Sequence, residues 1–357
     1  MIIRATIFAA STAALALAAP AYAQGSKAAW HAPRNALGQP DLQGVWTNAT
    51  ITPLTRPQKF GTRNVLTKEE AMAAEAATQA QIKRADAPTD PNLKVSDLKN
   101  ADCGPDGISG FNCGYNQGWK DPGEKVVDLN GEKRASIIVQ PADGRFPPMT
   151  PNAQAKMREQ MAKMRSGSFY DGPEARAAGE RCLVGFGSTS GPPMLPVMYN
   201  NNYKIVQTKD EVAIDVEMVH DVRHIRLNAT HGPSNIRQWM GDSIGHYEGD
   251  TLVVETVGMR PEEGMRGGMG PNAKVTEWFT RVAPNKILYR FKLEDPDTYT
   301  APIVGEMALN PSKGEVYEYA CHEGNYAMTG MLAGARAAEK EGRPYDIGGG
   351  AGGEGGN

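Results

Sequence analysis

Apolar and polar residues alternate with period two from Tyr203 onward. In EVAIDVEMV, Val212, Ile214, Val216 and Met218 share one face, and Asp215 and Glu217 take the other. That alternation marks a half-buried strand. YKIVQT precedes it across Lys209-Asp210, and VRHIRLN follows. SIGHYEGDTLVVETV predicts a hairpin turning at Glu248-Gly249-Asp250. KVTEWFTRVAPNKILYRFKLE predicts a second, turning at Pro284-Asn285. TAPIVGEMAL and EVYEYAC complete a series of roughly eight or nine antiparallel strands with short connections. The expected fold is mainly β. It is an antiparallel up-and-down barrel or curled sheet, lipocalin-like, over residues 201–325, with N-terminal helices and long loops. A β-sandwich is the alternative.

Upstream the pattern changes. PDLQGVWTN reads as an extended entry anchored by Trp46. A helix is expected from Lys68 to about Arg84, capped by Thr67, with Glu69 and Glu70 at the positive end of its dipole. Residues 86–124, rich in Asp, Asn, Gly and Pro, predict a long irregular segment. Ser136 to Gln140 is a short β-rich run. A second helix is expected from Asn152 to about Arg165, with Met157, Met161 and Met164 on one face as a core stripe. Residues 24–200 thus form an extended and helical region packed on the barrel. A last helix, Tyr326 to Glu341, lies within a C-terminal extension, residues 326–346. The Gly-rich tail 347–357 has too little apolar content to fold.

The N-terminus changes the picture of compartment. Arg4 precedes a short apolar run ending in Ala21-Tyr22-Ala23, the pattern of a signal peptide over residues 1–23, cleaved after Ala23. The expectation is therefore a periplasmic or secreted protein with no membrane span. Of 38 basic residues, Arg4 leaves with the leader; the remaining 37 face 41 acidic ones, net −4. That balance argues against nucleic acid as a partner. In an exported chain the four cysteines favour disulfides. The preferred pairing is Cys103 with Cys113, closing a short Gly-rich loop, and Cys182 with Cys321, tying the entry of the sheet to its exit. No C-x-x-C pair exists to support zinc.

Taken in order, RASIIVQPADGRFPPMTP, GERCLVGF, GPPMLP, YKIVQT, RQWMGDSIGHYEGDTLVVETV, DPDTYTAP and EYACHEGN resemble the signature segments of a group of exported bacterial proteins common in acidobacteria and sphingomonads. The resemblance runs from about Asp41 to Asn325. Its most specific piece is the W-x-G-x-S-x-G-x-x-E-G-D-T-L-V-V string starting at Trp239. It implies export and a β-rich fold, and it carries no assigned chemistry. The chain departs from that pattern at Val275-Thr276-Glu277, where the group shows His-Thr-Glu. It departs again at Cys321-His322-Glu323-Gly324-Asn325, where the group shows Cys-Glu-Glu-Asn. An activity resting on that histidine would not carry over.

Two constellations could carry chemistry. The first is His220, His224, His231 and His246 with Arg223, Arg226 and Arg237. Strand parity puts His224 and Arg226 on one face and Arg223 on the other. An imidazole beside a guanidinium can serve as a neutral general base. The second is acidic: Glu255, Glu277 and Glu318. Glu277 shares its strand face with Val275, Phe279 and Arg281, with Tyr289 and Phe291 on the neighbouring strand. Each constellation also has a bland reading, as rim residues of hairpins or as an outward ion-pair ladder.

Their sum is an expectation of cofactor-free acid–base chemistry, that of a lyase, dehydratase or isomerase, on a small apolar or aromatic molecule. His224 or His231 would be the acid or base and Glu277 its partner. Arg223 or Arg226 would hold a developing oxyanion. Arg237, Trp239, Asp242, Tyr289 and Glu318 would bind the substrate. A non-catalytic carrier and an envelope-associated interaction protein are the competing expectations. No metal is expected, since no H-E-x-x-H is present and His220 and His224 align only on a helix. The loop GMRPEEGMRGGMG, with Met259, Met265 and Met269, reads as a mobile lid or plain disorder and not as a Cu(I) site. The G-x-S-x-G string at Gly241–Gly245 falls at the start of an expected strand, not at the strand-to-helix turn of a nucleophile elbow, and the Gly-rich pieces lack the strand–loop–helix order of nucleotide sites. The sequence leaves oligomeric state open.

Overall fold

The computed structural model describes residues 30–86, 88, 121–261 and 269–343. The expected signal peptide, the Cys103–Cys113 loop, Met265 and the Gly-rich tail lie outside the described residues.

Nine strands close into a barrel. They are β1 (Gly44–Thr47), β5 (Asn202–Gln207), β6 (Glu211–Val216), β7 (Asp221–Leu227), β8 (Asp242–Glu248), β9 (Thr251–Val257), β10 (Lys274–Ala283), β11 (Lys286–Glu294) and β12 (Ile303–Pro311). Each pairs with the next, and β1 bonds to both β5 and β12, with Trp46 opposite Tyr203 on one side and Pro311 on the other. A short strand β4 (Ile138–Gln140) extends the sheet beyond β12. A two-residue-per-strand hairpin, β2 (Asp128–Leu129) with β3 (Glu132–Lys133), forms a separate small sheet whose Leu129 joins the main core.

The mainly β barrel expected from alternation is thus present, with two local differences. The first concerns closure. EVYEYAC is irregular chain, not the last strand. The barrel is instead closed by β1, from the segment that reads as an extended entry around Trp46. With only four residues, β1 is too short to announce itself by period. The second is a parallel pair, β7 with β8, where Ile225 faces Ser243. Residues 228–241 carry the chain back across the barrel end between them, so β8 runs alongside β7.

Along each strand alternate residues point inward, and the core is continuous from Leu42 and Trp46 through Ile214, Ile225, Val254, Phe279 and Phe291 to Met307 and Leu309. Gly305 on β12 shows how tightly the interior is filled: a Cβ there would sit 2.3 Å from the Phe291 ring. Small strand residues make room for aromatic neighbours, as close packing requires.

Among the described residues three α-helices accompany the barrel: α1 (Lys68–Ala85), α2 (Pro151–Arg165) and α3 (Tyr326–Lys340). Helix α1 begins with the expected Thr67 cap, completed as a capping box by Glu70. Two hydrogen-bonded arms of Arg63, with help from the Thr67 amide, draw the Glu70 carboxyl down to about 2. The Met stripe of α2 is not core: Met157 is half-buried and Met161 exposed. Among the described side chains of α2 only Ala153 is buried, so the spacing is helical without a partner surface. No helix among the described residues is long and apolar enough to cross a membrane.

Candidate functional site

Parity on three strands builds the most unusual feature of the interior. On β7, Arg223 falls between outward Val222 and His224 and so points into the barrel. Glu277 on β10 and Tyr289 on β11 also point inward. Arg223 donates to both oxygens of Glu277, at 3.0 and 2.6 Å. Tyr289 donates its hydroxyl proton to Glu277 Oε1 at 2.7 Å and accepts the Met194 amide proton at 2.9 Å. Next to them Tyr203 donates to the Thr189 carbonyl at 3.0 Å, and the Asn48 amide donates to Tyr203 Oη at 3.1 Å.

All five side chains are buried. Burial disfavours the Arg223 cation, but the charge and hydrogen bonds of Glu277 outweigh it and hold the guanidinium above its usual range. Burial, and then the neighbouring Glu277 charge, push the Tyr289 phenol far up. Burial likewise raises Tyr203, partly offset by Asn48 and Arg223. Both phenols therefore stay neutral and act as donors. Two atoms of the cluster, Arg223 Nε and Asn48 Oδ1, are buried without a hydrogen-bond partner among the described residues. Natural interiors leave few such groups, and a water or ligand is a common reason for those that remain.

Residues 183–195 close the barrel over this cluster. Their main chain supplies the Met194 amide and the Thr189 carbonyl. The Met194 carbonyl adds a longer contact to Asn48, at 3.4 Å. The segment is fixed from behind by Asp221 at the start of β7. Asp221 Oδ2 accepts from the Ser190 hydroxyl at 2.6 Å and from the Gly185 amide at 3.0 Å. Burial raises the Asp221 carboxyl, and Ser190, Gly185 and His220 only partly counter it. The sharp bend at Gly191, φ +73°, leaves no room for a side chain, since a Cβ would meet Met194 Cγ at 2.9 Å. The Cys182–Cys321 disulfide ties the start of the segment to the chain leaving β12. Outside it, Ser190, Gly191, Pro192, Trp239, Met259 and Met269 enclose a hollow of about 10 Å³, roughly the space of a single water. Arg260 lies over the Trp239 ring at 4.3 Å.

The residues singled out in the sequence form two clusters and several scattered positions. Arg223, Glu277 and Tyr289 meet inside. His231, Arg226, Asp242 and Glu255 meet on the outer wall. Asp242 accepts from Arg226 at 2.6 Å and from the Gly232 amide at 2.7 Å, and it lies 3.2 Å from His231 Nδ1. His231 Nε2 reaches Glu255 at 3.3 Å, and Lys274 continues the chain of charges at 3.3 Å from Glu255. Burial works against the Asp242 charge, but the Gly232 amide, Arg226 and His231 more than offset it and hold the carboxyl below its usual range.

Arg237 is a tether, donating to the carbonyls of Met259 and Pro271. His224 is exposed on the outer face and paired with Glu211. Glu318 is exposed on the irregular segment. The expected partnership of His224 or His231 with Glu277 does not form: His224 directly follows Arg223, and that single step changes the face, while His231 lies against Asp242 and Glu255. Cys182 and Cys321 are bonded as expected. Among the described residues no group of three His, Cys, Asp or Glu could hold a metal ion.

Sequence reasoning did not single out Asn48, Tyr203, Ser190 or Asp221. Tyr203 had a usable signal, since it shares strand parity with inward Ile205. Asn48, Ser190 and Asp221 sit where no period operates. Compared with protein families, with curated proteins and with solved structures, the chain has no match.

Proposed function

We propose that this barrel is an exported binding protein for a small, largely apolar molecule with a polar oxygen, held at the Arg223–Glu277–Tyr289 end of its interior. One observation carries the reading: the buried, doubly hydrogen-bonded Arg223–Glu277 pair lies in an apolar wall with an unmatched donor, Arg223 Nε, and an unmatched acceptor, Asn48 Oδ1, in the same cluster. Ligand sites have this composition, mostly apolar with a few convergent polar groups. A hydroxyl group has the matching chemistry, since it can accept from a guanidinium N–H and donate to an amide oxygen. Binding rather than turnover is favoured because no histidine joins the cluster and both phenols are held neutral. Export is supported by the leader-like N-terminus and the Cys182–Cys321 bond.

The interior is closed by residues 183–195, so a ligand enters only when the Met194 and Thr189 contacts part. Uptake is therefore slow and is accompanied by loss of amide protection in that segment. The test is a panel of monocyclic aromatic and terpenoid alcohols and carboxylic acids, followed by thermal unfolding and native mass spectrometry. A bound member should raise the midpoint in the wild type and not in Asn48→Ala. If no member of the panel binds, or if binding is indifferent to Asn48→Ala, the reading fails. Conversion of a bound compound would restore the acid–base alternative.

A further inference from the structure

We infer that the outer wall of the barrel carries a separate saccharide-binding groove, formed by Trp278, Arg290, Thr251, Thr280 and Leu288. The pattern of three strands assembles it. On the outward face of β10, Trp278 stands opposite Arg290 of β11, and Thr280 stands opposite both Leu288 of β11 and Thr251 of β9. Together they line an open groove of about 200 Å³. That is below the roughly 300–1,000 Å³ of pockets for drug-sized ligands, and it suits a single ring.

The chemistry of the lining selects the ring. Trp278 is partly buried and offers the edge of an aromatic face, with the Arg290 guanidinium 5.7 Å from its ring centre. The Thr251 and Thr280 hydroxyls are 2.7 Å apart. Only one proton lies between them, so the pair keeps one O–H to donate and lone pairs to accept. Arg290 is offset by Glu306 at 3.8 Å, so its remaining N–H groups can donate without demanding an anion. An aromatic cation would be repelled by Arg290. A carboxylate would meet Glu306. A purely apolar ligand would strip water from two hydroxyls and a guanidinium without replacing it. A neutral ring with one apolar face and a rim of hydroxyls satisfies every group, and a pyranose is such a ring. The groove lies on the opposite face of the wall from Glu277 and Tyr289, so it is independent of the interior site.

The experiment titrates the full-length protein with cellotriose, maltotriose and chitotriose, using calorimetry together with the Trp278 indole N–H resonance, and with benzoate as the anionic control. At least one oligosaccharide should bind and move that resonance. Trp278→Ala should weaken its binding by about tenfold or more, as expected for loss of one stacked ring. Thr280→Val should weaken it less, and Asn48→Ala should leave it unchanged. If Trp278→Ala unfolds, Thr280→Val with Leu288→Asp replaces it, each checked for an unaltered melting midpoint. Three outcomes overturn the inference: no oligosaccharide binding at millimolar concentration, binding that survives these substitutions, or benzoate binding in preference to the sugars.

Discussion

Arg223 and Glu277 face each other across the inside of the barrel through two hydrogen bonds of 3.0 and 2.6 Å, with both side chains wholly buried. Such a pair gives little net stability, because desolvation of two ions cancels most of their attraction. Breaking it from one side is another matter. Glu277→Leu or Arg223→Met alone leaves an uncompensated buried charge and should cost about 3–5 kcal/mol. The double variant should recover most of that loss. Urea unfolding of the three variants measures this; a double variant as unstable as its parents would mean that the pair itself holds the barrel.

Tyr289 joins that pair to the closing segment, donating to Glu277 and accepting from the Met194 amide. Tyr289→Phe removes both bonds while preserving the ring and its packing against Phe279, 5.0 Å away. The expected cost is about 1–3 kcal/mol. Hydrogen exchange gives the sharper readout. The Met194 amide and its neighbours in residues 183–195 should exchange faster, while the β10–β11 ladder keeps its protection. Uniform acceleration across both regions would mean that Tyr289 supports the fold generally and does not latch this segment.

How much of this was legible depends on whether a periodic signal operated. The long strands β10 and β11 fixed their own faces. Parity alone put Glu277 on one face with Val275 and Phe279 and separated Arg223 from His224, but whether the Glu277 face turned inward was open until the barrel closed. The Pro284-Asn285 turn was legible because its residues cannot continue a ladder. Strand β1 was not legible as a strand, because four residues carry no period. Nor was the parallel β7–β8 pairing, since a loop of polar residues does not reveal on which side it returns. The helical Met stripe misled for the opposite reason. Spacing reports a shared face, and only a neighbouring surface makes that face a core. Among the candidate residues, type and strand face could be read, but partners could not. Glu277 was expected to meet an imidazole and meets a guanidinium, because pairing is decided across the barrel and not along the chain.

The Cys182–Cys321 bond joins positions 139 residues apart and holds the start of the closing segment against the chain that leaves the barrel. Cross-linking so long a loop restricts the unfolded chain strongly, and its removal should cost about 2–5 kcal/mol. Cys182→Ser with Cys321→Ser should therefore lower the urea midpoint. Because the bond anchors only one flank of the barrel, the near-ultraviolet circular dichroism of the remaining folded protein should persist. Loss of that signal in the absence of denaturant would show that the bond is required to form the barrel and does not only stabilise it.

Two aspartates should give the acid limb of stability opposing slopes. Asp242 is held below its usual range in the folded state. Its contribution is complete above the unfolded value and is lost as pH falls through the depressed folded value. Asp221 is raised by burial from 3.8. The folded protein therefore binds its proton more tightly than the unfolded chain does. Its contribution is complete at low pH and declines as pH rises from the unfolded value through the raised one. Asp242→Asn should lower the urea midpoint at neutral pH and leave it unchanged at the acid end, since the neutral amide still accepts from Gly232 but no longer attracts Arg226 or His231. Asp221→Asn should do the reverse. The amide oxygen still accepts from Ser190 and Gly185 without a buried charge, so the neutral midpoint should hold or rise and the decline above the acid range should disappear. Urea midpoints collected across the acid-to-neutral range for both variants decide the matter. A fall at neutral pH in Asp221→Asn would show that the charge itself, and not only the acceptor, holds Ser190 and the closing segment in place.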